Sequence, residues 1–180
     1  DGRHASVVFT NDWEEDSQRR DFTFNAIYMS VKGKIFDPHL GVHDLKNKIV
    51  KFIGDPDQRI KEDYLRILRF LRFSIEYSNF DFNKETLRAI QKNLGGVTKL
   101  SKERIFIELK KILKLKNFEE LTKDKNFLEI FILIFPEFKY LDRVSNFSTL
   151  RKLLPNILNN NNILVSLFID GSNNHEYFLH

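Results

Sequence analysis

KEDYLRILRFLRF, Lys61 to Phe73, is the stretch from which the fold of this chain can be worked outward. Asp63, Arg66, Arg69 and Arg72 recur at every third residue, one carboxylate followed by three guanidiniums. At about 100° per residue they form a slowly winding polar stripe along one side of a helix. Ile60, Tyr64, Ile67, Leu68, Leu71 and Ile75 gather on the other side, which gives the helix a core to pack on. The stripe is then free for chemistry. An Asp and an Arg held on a rigid helix offer a mixed donor and acceptor edge that suits a planar base, and further guanidiniums suit phosphate oxygens. Taken alone, the same stripe also describes a solvated helix face on which Asp63 pairs with Arg66 or Lys61.

The bulk composition is that of a globular protein. A length of 180 residues allows one or two domains with cores of their own. There are 18 Phe against one Trp and one Met, so the core is expected to be aliphatic and phenylalanine-rich. A net charge of +4, with a pI near 9.2, is compatible with an anionic partner. The absence of cysteine excludes disulfides and thiolate zinc sites and fits a reducing compartment, so a cytoplasmic location is expected. No apolar run is long enough to span a membrane, and no membrane partner is expected. The sequence starts at Asp1 without a Met, and its first residues read as the middle of a domain, so it is expected to be part of a longer protein.

Upstream of the stripe the elements are short and mixed. Asp1 to Thr10 ends in a strand-like run, Val7 to Phe9, and the acidic stretch Asn11 to Gln18 suits a loop entering a helix. In RRDFTFNAIYMS, Arg19 to Ser30, two guanidiniums again stand beside a carboxylate. Arg20 could hold a triphosphate, while Asp21 or Asn25 could bond a ribose hydroxyl or brace the site. The plainer alternative is a helix start with Asp21 near its cap. VKGKIFD, Val31 to Asp37, reads as half of a hairpin turning at Gly33; Pro38 to Asp44 leads to a helical turn, and Ile49 to Ile53 is a short strand. After Pro56 the pattern is helical. Helices are expected at about Asp57–Tyr77, Lys84–Asn93, Ser101–Leu115 and Asn117–Lys123, with Ser101 as an N-cap, and two or three more between Asn126 and Leu158. Asn159 to Asn162 reads as a low-complexity interruption, and the tail from Gly171 as polar and frayed.

Several signals carry less than they first suggest. Asp55 and Asp57 have metal-like spacing, but Pro56 and the following helix give them turn and cap roles. His39 and His43 lie four apart, yet Pro38 and Gly41 argue against a helical zinc pair. No glycine-rich phosphate loop or serine nucleophile elbow is present.

Four pieces in order carry a resemblance: EEDSQRRDFTFNA (Glu14–Ala26), GKIFDPHLGVHDL (Gly33–Leu45), IGDPDQRIKEDYLRILRFLRF (Ile53–Phe73) and SKERIFIELKKIL (Ser101–Leu113). Together they resemble the class II bacterial tRNA nucleotidyltransferase and poly(A) polymerase family over about Asp1 to Leu115. The resemblance implies a nucleotide-binding role for Arg20. It implies that Asp63 and Arg66 read the Watson–Crick edge of CTP or ATP as a protein template, and that Arg69 and Arg72 support the nucleotide and its phosphates. Arg19, Asp21, Asn25, Glu62 and Arg104 are expected to support the site. The family's glycine-rich turn followed by two Asp one residue apart, which holds catalytic Mg²⁺, has no counterpart here. No catalytic or metal-binding residue is therefore assigned, and this chain by itself is expected to be inactive.

The implied fold class is α+β, mostly α: the remnant of a nucleotidyltransferase head with short strands at residues 1–57, a helical neck at 58–123 and a helical body at 124–180. The implied function is addition of C and A residues to tRNA 3′ ends from CTP and ATP, with Mg²⁺ in the intact enzyme. The implied partners are an RNA 3′ end, nucleoside triphosphates and a complementing N-terminal polypeptide. Poly(A) synthesis shares these motifs. Two non-catalytic alternatives also stand, an RNA-binding remnant of a split gene and a plain helical interaction domain; the latter predicts no nucleotide affinity.

Overall fold

The structure, a computed structural model, describes residues 12–80, 82–154, 156 and 159–169. The expected strand at Val7 to Phe9 and the polar tail from Gly171 lie outside them. Asp12 accepts hydrogen bonds from the backbone N–H groups of Glu14 and Glu15 and so starts helix α1, Trp13–Gln18. The chain then turns inward. Phe22 and Phe52 form an isolated antiparallel bridge, flanked by hydrogen bonds from Thr23 N to the Lys51 carbonyl and from Ile53 N to the Asp21 carbonyl, each 3.0 Å. This replaces the longer strand expected at Ile49–Ile53, and it puts Asp21 at a strand-like position instead of a helix cap. The pairing anchors Asp21 beside the core.

A 3-10 turn, Thr23–Ala26, leads to a two-stranded hairpin of β1 (Tyr28–Met29) and β2 (Ile35–Phe36). Its turn needs Gly33, whose φ of +79° is costly for other residues. Both carboxylate oxygens of Asp37 accept backbone N–H groups of Gly41 and Val42 and start α2, Gly41–Lys46. The buried carboxylate of Asp44 accepts the Thr23 hydroxyl at 2.7 Å and fixes α2 to the 3-10 turn.

The single helix expected over Asp57–Tyr77 is two helices. α3 (Pro56–Glu62) begins at the cap residue Asp55, and α4 (Leu65–Tyr77) begins after a break at Asp63, whose φ of −155° and ψ of 107° are extended. Asp63 is thus not on the same helix as Arg66, Arg69 and Arg72. Next to the break, the Tyr64 ring packs on Gly96, where any Cβ would collide with it, and Lys99 lies over the ring. The remaining helices are α5 (Lys84–Asn93), α6 (Lys102–Leu113, capped by Ser101), α7 (Lys125–Ile134), α8 (Phe147–Leu153) and α9 (Asn160–Phe168). Leu94–Lys99, Phe118–Lys123 and Leu141–Asn146 are 3-10 segments, so the fourth helix expected at Asn117–Lys123 is a tighter turn. The NNNN run does not interrupt: Asn159 accepts the N–H of Asn162 and caps α9, a role for which Asn is among the best residues.

The core is phenylalanine-rich, as the composition predicts. Phe22 packs tilted on Phe52, which stacks on Phe70, with ring centroids 4.8 and 5.7 Å apart, and the three rings tie the small mixed segment to α4. Phe118, Phe127, Phe131 and Phe147 continue the same buried cluster through the later helices. The fold is mostly α with two short strands, as expected. Among the described residues, no helix is long and apolar enough to cross a membrane.

Candidate functional site

A cleft of about 370 Å³ lies between the segment after α1 and the start of α4. Arg19, Arg20, Asp21, Asn25, Asp63, Arg66 and Arg69 line it. Residues more than forty positions apart in the chain therefore meet, because the Phe22–Phe52 bridge holds the 19–25 segment against α4.

Each wall is fastened by its own charges. Arg69 Nε donates to Asp21 Oδ2 at 2.5 Å, and Asn25 Nδ2 donates to Asp21 Oδ1 at 2.8 Å. Asp21 thus ties the 19–25 segment to α4. Burial pushes its pKa up, but the Arg69 and Asn25 hydrogen bonds outweigh that, and it stays below the usual carboxylate range. Arg20 is held by Asp16 Oδ2 at 2.8 Å, an oxygen that also accepts the Tyr28 hydroxyl, and this pairing raises the Arg20 pKa. Arg19 pairs with the other oxygen of Asp16.

Asp63 is gripped at both oxygens. Oδ1 accepts the Leu65 N–H at 3.2 Å and Oδ2 accepts from Arg104 on α6 at 2.7 Å. Here too burial raises the pKa, and the Arg104 bond, the Leu65 N–H and the charges of Arg104 and Arg66 together more than reverse it, so Asp63 is a carboxylate, an acceptor only, at neutral pH. Its partner is neither Arg66 nor Lys61, the pairings that an exposed helix face would use; Lys61 instead binds Asp57. Arg66 Nη1 is committed to the Glu62 carboxylate at 2.5 Å and the Arg59 carbonyl at 2.6 Å. Nε and Nη2 of Arg66 have no partner among the described residues.

Three expected residues stand outside the cleft lining. Arg72 lies outside the cleft, with Nε on the buried Glu108 at 2.5 Å and its guanidinium 3.9 Å from the centre of the Phe73 ring. Glu62 and Arg104 support from behind, as hydrogen-bond partners of Arg66 and Asp63. Arg59 and Asp16 were missed. Arg59 bonds the Arg20 carbonyl and Glu62, and its place three residues before Glu62 and seven before Arg66 was the available signal. Asp16 lies in a run of three acidic residues, Glu14 to Asp16, that gives no reason to single it out. Asp55 is the cap expected of it, while Asp57, expected in a turn or cap, instead anchors Lys61, Lys92 and Asn93. His39 bonds Ser17.

Comparison with known proteins decides the family. Residues 1–51 match the "Poly A polymerase head domain" and residues 79–141 the "Probable RNA and SrmB- binding site of polymerase A". The human mitochondrial CCA tRNA nucleotidyltransferase 1 is 52% identical over 115 residues, 63% of this chain and 26% of the human one. The chain belongs to the tRNA nucleotidyltransferase and poly(A) polymerase family. The Staphylococcus aureus (strain MRSA252) CCA-adding enzyme is 39% identical over 140 residues, 78% of this chain and 34% of that enzyme. The Bacillus stearothermophilus CCA-adding enzyme, solved in complex with CTP, superimposes with a TM-score of 0.60 at 28% identity, covering 76% of this chain and 37% of its own. The chain thus spans about a quarter to a third of the length of these curated relatives.

Proposed function

We propose that this chain contains the nucleotide-reading part of an RNA nucleotidyltransferase that adds C and A residues to tRNA 3′ ends from CTP and ATP. The observation that carries the reading is the cleft in which Asp63, Arg66 and Arg69 face Arg20. Asp63 offers carboxylate lone pairs and Arg66 offers Nε and Nη2, together a mixed edge for a base. Arg20 and Arg69 add positive charge where a triphosphate would lie. Arg72 supports this site at a distance by holding α4 to α6. Names of relatives that include CCA addition, and one relative solved with CTP, support the choice of substrates. The domain plan that fits is a head remnant at 1–57, a neck at 58–123 and a body at 124–180. An RNA 3′ end is the proposed acceptor, a separate polypeptide carrying the paired-Asp strand a proposed partner, and the cytoplasm the proposed compartment.

Mg²⁺, which the family resemblance implies, would activate the RNA 3′ hydroxyl and neutralise the departing pyrophosphate. The described residues do not fit that ion. The carboxylates lining the cleft, Asp21 and Asp63, are each bonded to a guanidinium, and no group of three or more His, Cys, Asp or Glu among the described residues could hold a metal. What these residues do is bind and orient the nucleotide.

Isothermal calorimetry with CTP and ATP tests the reading. The native chain is expected to bind both, and Asp63→Ala or Arg66→Ala to weaken binding at least about tenfold, the scale of a charge-assisted hydrogen bond. A folded chain with no affinity for either nucleotide would refute it. Poly(A) synthesis, favoured by the names of both matched family models, predicts that ATP binds and CTP does not.

A further inference from the structure

Arg59 joins the two walls of the cleft without lining it. Its side chain is only 12% exposed. From α3, its Nη2 donates to the backbone carbonyl of Arg20, 39 residues earlier, and its Nη1 donates to Glu62 at 2.5 Å. The same Glu62 oxygen receives Arg66 Nη1, and that Nη1 also donates to the Arg59 carbonyl. One residue therefore fixes the main chain that carries Arg20 and, through its carbonyl and a shared carboxylate, the rotamer of Arg66. The Arg69–Asp21 bond is a second join, further along α4, and it touches neither Arg20 nor Arg66.

The remaining Arg59 nitrogen, Nε, is buried with no hydrogen-bond partner among the described residues. An unmet buried donor is unfavourable. Lysine at 59 would keep the charge without that orphan, but it cannot reach two acceptors in fixed directions as the planar fork does. The geometry points to a fork required for its directions and not for its charge.

We propose that Arg59 is a positioning residue for the nucleotide site, setting the spacing between Arg20 on one wall and Arg66 on the other. The proposal rests on the functional reading above and adds a residue to it. Arg59 touches no base or phosphate; it acts through two residues that do.

The test uses Arg59→Lys and Arg59→Gln in the full chain, with Asp57→Asn as a control. Asp57 is on the same helix but ties α3 to α5 through Lys92 and Asn93, away from the cleft. Circular dichroism establishes that each variant is folded, and ¹⁵N NMR follows the Arg66 Nε–H and the Asp21 amide, the N–H next to the Arg20 carbonyl. Both signals are expected to move in the Arg59 variants and to stay in Asp57→Asn. CTP affinity is expected to fall about tenfold in Arg59→Gln, with Arg59→Lys failing to restore it. Combined with Arg66→Ala, the Arg59 change is expected to add little further loss, because both act on one interaction. Unmoved signals would overturn the positioning role whatever the nucleotide does. Moved signals with unchanged affinity, or strictly additive losses, would overturn its link to binding. A native chain with the NMR coupling but no CTP affinity would sink the functional reading itself, and the nucleotide role of Arg59 with it.

Discussion

At the scale of single residues, the site is made of charges that already have partners. Arg20 is the clearest case, because Asp16 holds the guanidinium that a triphosphate would need. Hydrogen bonds from Arg20, then Tyr28, pull the Asp16 pKa from 3.8 down to about 2. The sign follows from the depression. Above about pH 4, Asp16 is ionised in both folded and unfolded chains, and its pairing contributes fully to stability. That contribution is lost as the pH falls from about 4 towards 2, where the folded carboxylate takes up its proton. A ¹³C titration of the side-chain carboxyl is expected to show a midpoint near 2, and Arg20→Gln to bring it back towards 3.8. A midpoint near 3.8 in the native chain would mean that the pair does not exist in solution.

At the scale of elements, the break between α3 and α4 decides what the Arg stripe can do. Continuous helix would place Asp63 one turn below Arg66, side by side on a surface. The extended backbone at Asp63 instead turns its carboxylate towards α6, where Arg104 fixes it. Tyr64, the residue after that break, packs its ring on Gly96. Gly96→Ala forces the ring to move, and the overpacking is expected to destabilise the fold by about 1–3 kcal/mol in urea unfolding. CTP affinity is expected to fall as well, since Tyr64 is next to Asp63. Unchanged stability would show that the ring can slide.

At the scale of the whole molecule, α6 is the clamp. Arg104 and Glu108, four residues apart, reach the two ends of the polar stripe, Asp63 and Arg72. Glu108 is 2% exposed and depends on Arg72, with help from Lys111. Removing the guanidinium strands a buried carboxylate. Arg72→Leu is therefore expected to cost about 3–5 kcal/mol in chemical denaturation, and Glu108→Leu on top of it to recover part of the loss. Equal or additive losses in the double variant would deny that the two side chains are coupled. The result bears on the proposed function because the same helix carries Arg104, which holds Asp63 at the cleft.

The amino-acid order by itself determined much of this protein. Periodicity placed α5 and α6, the Gly33 turn placed the hairpin, and cap chemistry identified Asp55 and Ser101, because such features depend on residues a few positions apart. The motif residues Arg20, Asp21, Asn25, Asp63, Arg66 and Arg69 were legible as a set, and the structure brings all six to one cleft. Tertiary structure alone decided the rest. Arg72 stands outside the cleft on Glu108, Asp63 lies in an extended break with Arg104 as its partner, and Arg59 holds Arg20 across 39 residues. Each outcome depends on which distant partner packing supplies, and a charged side chain takes the nearest buried counter-charge or carbonyl that the fold brings within reach.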